Sequence, residues 1–125
     1  MLHTERIDGW VDAPESGDPH FSGDYVTVSW TVTGESRPYI RALAWAGGIK
    51  PTGRFGAVEL VARYSRLDFN DHSIEGGELD RWGLGVNWWA STQWKIGLSY
   101  GDAELDKHGT SGNTKMLLLR LLWMY

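Results

Sequence analysis

Apolar and polar residues alternate along most of this chain with a period of two, and helical spacing is scarce. Tyr25 to Thr33 carries Val26, Val28, Trp30 and Val32 on one side and Thr27, Ser29, Thr31 and Thr33 on the other. That is a strand with one apolar and one polar face. A second strand, about Ala57 to Arg66, sets Val58, Leu60, Ala62 and Tyr64 against Glu59, Arg63 and Ser65, with Val61 dissenting. A third, Arg81 to Ala90, sets Trp82, Leu84, Val86 and Trp88 against Arg81, Gly83, Gly85 and Asn87. After the short Ser91-Thr92-Gln93 turn, Trp94, Ile96, Leu98 and Tyr100 alternate with Lys95, Gly97, Ser99 and Gly101, which predicts a hairpin. The last strand, about Lys115 to Tyr125, puts Leu117, Leu119, Leu121, Trp123 and Tyr125 on one face and is apolar on both. The predicted fold is all-β, an antiparallel meander of about five strands.

Connections alternate in length. Phe69 to Asp80 and Asp102 to Asn113 read as polar loops of about a dozen residues, with only the Ser91 turn between them. Thr33 to Phe55 is a long segment with loop chemistry at both ends, Gly34-Glu35-Ser36-Arg37-Pro38 and Gly47-Gly48-Ile49-Lys50-Pro51. Residues 1–20 read as a loop or the remnant of a preceding strand, and 21–125 as the strands proper. Met1 to Arg6 lacks the basic start and apolar run of a secretory signal, so the chain as written is not expected to be exported.

Alternation alone leaves two environments open. In a soluble β-barrel or sandwich the apolar face points inward, where it would bind an apolar ligand; in a membrane barrel it meets lipid and the polar face lines a pore. Three features favour lipid. The polar face is rich in Gly, Ser and Thr rather than Lys and Glu. Aromatic residues sit near the ends of apolar faces, at Tyr64, Trp82, Trp88, Trp94, Tyr100, Trp123 and Tyr125, as membrane-interface girdles require. The chain also stops on an aromatic residue at a strand end. Five strands cannot close a membrane barrel, and open edges are not tolerated in hydrocarbon, so the segment belongs to a larger assembly.

Composition narrows the chemistry. The 125 residues hold 8 Trp and 16 Gly, no Cys and a net charge of -4, which excludes a disulfide scaffold and thiolate sites and argues against a nucleic-acid partner. His3, His20, His72 and His108 lack ligand spacing, and Asp68-Phe69-Asn70-Asp71 lacks the glycine and distal glutamate of a calcium loop, so no metal or cofactor is expected. No nucleophile, base and orienting acid assemble, and no enzyme is expected. Parity puts Glu59, Arg63, Arg81, Lys95 and Arg120 on the polar face, four cations against one anion, a wall of about +3 in an acidic chain. The acidic excess then falls in the loops, at Asp68, Asp71, Glu75, Glu78, Asp80, Asp102, Glu104 and Asp106. Such a wall attracts anions, although arginine and glutamate on a barrel interior can also simply pair across strands.

Three runs carry a family resemblance: Val26 to Tyr39 with its Thr33-Gly34-Glu35-Ser36-Arg37-Pro38-Tyr39 end; Ile49-Lys50-Pro51 followed by Phe55 to Asp71; and Gly83 to Trp89. Over about residues 21–125 the chain resembles the C-terminal third of the phosphate-selective porin O and P family. The resemblance implies a trimeric outer-membrane barrel of about sixteen strands, crossed passively by small anions such as phosphate. It implies outer-membrane lipids and lipopolysaccharide, the remaining barrel strands and like subunits as partners. Tyr125 resembles the family's insertion signal, where phenylalanine is commoner, and the Thr33 to Phe55 segment resembles a periplasmic connection. The family's main anion-binding residues lie mostly outside this stretch, and none is carried over.

Overall fold

A computed structural model describes residues 1–12, 18–40, 45–71, 74–107 and 109–124. Tyr125, His72 and His108 lie outside the described residues. The elements are β1 (Leu2–Trp10), β2 (His20–Thr31), β3 (Tyr39–Ile40), β4 (Trp45–Ala46), β5 (Ala57–Asp71), β6 (Ile74–Trp89), β7 (Trp94–Lys107) and β8 (Thr110–Trp123). Six of them form one open antiparallel sheet in the order β1-β2-β5-β6-β7-β8, while β3 and β4 pair separately in the connection between β2 and β5. No helix occurs among the described residues.

The sheet is a plain meander, and it has one strand more than the alternation shows. Residues 2–10 form β1, in register with β2 from Leu2 opposite Val28 to Trp10 opposite His20. The expected loops at Phe69–Asp80 and Asp102–Asn113 are largely strand. β5 runs to Asp71 and β6 resumes at Ile74, while β7 runs to Lys107 and β8 starts at Thr110. The acids assigned to those loops therefore stand on strands, as at Asp68, Asp80 and Glu104. Backbone pairing continues there although the outer face turns polar and the apolar residues Leu67, Leu79 and Leu105 stand on the inner one, and side chains reinforce it. Arg66 pairs with Glu78, and the Tyr64 hydroxyl donates to Asp80 Oδ1 at 2.5 Å.

Cross-strand register sorts the side chains into two faces, because directly opposed residues point the same way. One transverse row reads Leu2, Val28, Ala62, Leu84, Tyr100, Leu117, and the next Trp30, Leu60, Val86, Leu98, Leu119. These form an apolar outer face that nothing among the described residues covers: Leu117, Leu119 and Leu121 are 72, 71 and 64% exposed. Its lower edge is aromatic, with Trp94 opposite Trp123 and their rings stacked at 6.3 Å between centroids. Its upper edge is aromatic too, with Tyr64 opposite Trp82 and Trp82 packed on Tyr100 at 5.6 Å. Above that edge the outer face turns charged, with Arg6, Asp24, Arg66, Asp80 and Glu104 in one row.

Buried hydrophobic side chains are few. Among the described residues they are Ile49, Ala57 and Trp89, clustered where the β2–β5 connection crosses the lower end of the inner face. A sheet of this area with so small a core, and with its large apolar side chains outward, is built for an apolar solvent.

Candidate functional site: the inner wall

The inner face is concave and encloses a trough of about 650 Å³. Arg63, Arg81, Lys95 and Arg120 all line it, each from a different position along the sheet: β5, β6, β7 and β8. Their row partners explain how long side chains fit. Arg63 stands opposite Gly83, Gly83 opposite Gly101, and Arg120 opposite Gly97, so glycines leave the concave surface uncrowded beside the guanidinium groups. At Gly97 the space is needed, since a Cβ there would lie 2.8 Å from Asn87 Oδ1. The Arg63 guanidinium rests on the Tyr25 ring, 4.0 Å from its centroid, which orients it without cancelling its charge. Among the described residues none of the four cations has a carboxylate within ion-pair distance. Cross-strand ion pairing, the alternative role for such residues, does not hold them among the described residues.

Glu59 is placed differently. Its side chain is 1% exposed and does not line the trough. Arg37 Nη1 lies 3.1 Å from Glu59 Oε1, and Asn87 Nδ2 donates to Oε2 at 3.0 Å. Arg37 comes from the β2–β5 connection, and sequence reasoning gave it no part in the wall. Its Nε donates to the Gly47 carbonyl at 3.0 Å, and its guanidinium lies 5.9 Å from the centroid of Trp89. The Lys95 ammonium approaches the same ring at 4.7 Å. Trp89 was legible as an anomaly: it has inner-face parity, where a large buried aromatic needs something to cover it. The connection supplies that cover through Gly48, whose missing side chain lets it approach the indole.

The connection is closed on itself by Glu35. Thr33 Oγ1 donates to Glu35 Oε2, while Thr52 donates to Oε1 from its amide at 3.3 Å and its hydroxyl at 3.2 Å. Thr33 Oγ1 in turn accepts from the Val58 amide at 3.1 Å, tying the segment to the start of β5. These bonds, led by that of Thr33, hold the partly exposed Glu35 carboxyl below its ordinary pKa. The Gly34-Glu35-Ser36-Arg37 run thus closes the connection with one charge and docks it on the wall with the other.

The aromatic positions fall where the apolar band ends. Trp94 and Trp123 mark one edge, with Trp88 one row inside it, and Tyr64 and Trp82 mark the other, with Tyr100 one row inside. Trp88 also anchors the connection, its indole N–H donating to the Phe55 carbonyl at 2.7 Å. No group of three or more metal-ligating side chains occurs among the described residues.

Antiparallel strands with an apolar outer band between aromatic edges and a basic, glycine-rich inner face define a segment of a porin-type barrel wall. Comparison with known proteins makes this specific: the sequence profile of the phosphate-selective porin O and P family matches residues 4–125, and the chain belongs to that family. It is 32% identical over 95 residues to Porin O of Pseudomonas aeruginosa, an alignment covering 68% of this chain and 22% of that protein. It is also 32% identical over 90 residues to an uncharacterized protein of Caulobacter vibrioides, covering 66% of this chain and 17% of that one. The chain therefore spans about a fifth of the length of the curated relatives it matches.

Proposed function

We propose that these six strands are part of the wall of an outer-membrane pore through which small anions, phosphate among them, diffuse passively. The observation that carries this reading is the segregation of charge: four cations face one trough without a carboxylate partner among the described residues, while the opposite face is apolar and no described residue covers it. A basic surface lining a narrow aqueous path raises the local anion concentration and lowers that of cations. Arginine can also hold a phosphate through two parallel hydrogen bonds as it passes. With Glu59 tied to Arg37, the four remaining of these wall positions are all cations and outnumber the carboxylates of Asp24, which borders the trough, and Glu5, which shares the row of Arg81.

The outer band would meet outer-membrane lipid, with the charged row above Tyr64 and Trp82 at the level of lipopolysaccharide headgroups. The edges of β1 and β8 would pair with further strands, because unpaired backbone groups are costly in hydrocarbon. Assembly of three such barrels follows the family pattern. The protein acts in this reading as a channel and not as an enzyme, and it needs no cofactor. The soluble alternative, with an apolar ligand inside, lacks support because no second layer of described residues faces the apolar surface.

The test is the reversal potential of the complete pore in a planar bilayer under a salt gradient. Anion preference is expected, and Arg63→Glu, a change of two charges at the trough, should reduce the anion-to-cation permeability ratio roughly 4-fold at 0.1 M salt. An unchanged ratio in that variant would return Arg63 to a structural role.

A further inference from the structure

We infer that Arg37 sets the charge of the pore at its turn end by neutralising Glu59, which makes a residue of the connecting segment a determinant of ion selectivity. The inference rests on the anion-pore reading and adds to it a residue outside the strands. Glu59 occupies the same transverse row as Asn87, Gly97 and Arg120, and Lys95 stands one row further toward the turns. With strands about 4.8 Å apart, Lys95 and Arg120 have backbones within about 15 Å of Glu59, a span that their extended side chains largely cross. A free carboxylate there would draw both cations toward itself and cancel the attraction the wall offers a passing anion.

The structure avoids this by enclosure. Glu59 is 1% exposed, its Oε1 is met by Arg37 at 3.1 Å, and its Oε2 is satisfied by Asn87 at 3.0 Å. Arg37 is held for this by the Gly47 carbonyl and the face of Trp89, so its position does not depend on Glu59 alone. Lys95, on the same indole, keeps its charge free for the trough. A buried carboxylate whose partner is removed is strongly disfavoured and turns toward water or the nearest cation. In this wall both lie in the pore.

The experiment compares the complete pore with its Arg37→Gln, Glu59→Gln and double variants by reversal potential in planar bilayers. One unit charge roughly 8 Å from the ion path should change the anion-to-cation ratio about 2-fold at 0.1 M salt, and more as salt is lowered. Arg37→Gln is expected to lower the ratio by that factor, Glu59→Gln to raise it, and the double variant to restore the original value. A double variant as low as Arg37→Gln, or an Arg37→Gln pore with an unchanged ratio, would overturn the inference. If Arg37→Gln does not assemble, Glu59→Gln decides alone, and an unaltered ratio there refutes it. A parent pore without anion preference would instead overturn the underlying anion-pore reading, whatever the variants do.

Discussion

Placing a single arginine at successive outward positions of β8 should map the membrane. The outward residues run from Trp123 through Leu121, Leu119 and Leu117 to Lys115, where Trp123 lies opposite Trp94 and Lys115 shares the row of Trp82 through Asp102. Eight residues at about 3.3 Å each make roughly 26 Å along the strand, or about 20 Å along the membrane normal at the usual barrel tilt. Leu119 is the midpoint, 71% exposed, and its whole side chain would lie in hydrocarbon. An arginine there should cost about 2–4 kcal/mol, and one at Trp123 about 0–1 kcal/mol beyond the lost ring contact, because the charge can reach the interface. The native lysine at position 115 already sits at the far end of this scale. The assay is urea unfolding of the complete barrel from phosphatidylcholine bilayers, one arginine variant at a time, with Arg120→Ser as an inner-face control expected near zero. A profile that peaks at Leu119 and falls toward both ends supports the assignment. A flat profile, or one that rises steadily toward either end, would refute it, since neither is consistent with a slab of lipid bounded by those two aromatic rows.

Two further outcomes follow from the connection between β2 and β5. Gly56 has φ +80°, and a Cβ there would meet the Trp89 carbonyl oxygen at 2.2 Å, backbone that cannot yield locally. Gly56→Ala should therefore cost at least about 2 kcal/mol and lower the urea midpoint of the assembled barrel; an unaltered midpoint would mean that the chain does not pass Trp89 as described. Glu35 has a carboxyl pKa lowered in the folded state, so its stabilisation of the segment is complete above the ordinary carboxylate range and is lost as the pH falls through the lower, folded value. The protection factors of the amides around Thr52, with the intrinsic pH dependence of exchange divided out, should fall on acidification in the parent, whereas in Glu35→Gln they should be low already and insensitive to pH. An equal acid response in both would assign the effect to another group.

What the sequence revealed was the part of each strand between the two aromatic rows, because there the apolar residues keep to the outer face. Val26 to Trp30 and Trp82 to Trp88 alternate plainly for this reason. Above Tyr64 and Trp82 the outer face turns charged, as at Arg66, Asp68 and Asp80, while Leu67, Leu79 and Leu105 stand on the inner face, so the polarity of the two faces reverses even though the backbone ladder continues. β1 was obscure on the same ground: Leu2, Thr4, Arg6 and Asp8 share a face without sharing a polarity, and pairing with β2 defines them instead. The wall cations were legible by parity alone. The neutralisation of Glu59 was not, because Arg37 is 22 residues away in a segment with no periodicity. Its signs were indirect: an aromatic residue, Trp89, on the wrong side of a strand, and an Arg-Pro pair followed by a glycine-rich stretch able to lie flat on it.

The central claim is that alternate residues face lipid and a basic aqueous lumen; these 125 residues hold no cysteine, so single cysteines placed among them, in a complete pore freed of any other, permit a direct measurement. Ser99 lines the trough between the rows of Arg63 and Arg120, while Leu119 faces outward at the centre of the apolar band. Single cysteines at these two positions would be treated, in the complete pore in bilayers, with anionic and cationic methanethiosulfonates of similar size. Ser99→Cys is expected to react with both and faster with the anion, and Leu119→Cys with neither. Reaction at Leu119→Cys but not at Ser99→Cys would invert the faces, and faster reaction of Ser99→Cys with the cation would contradict a wall that favours anions.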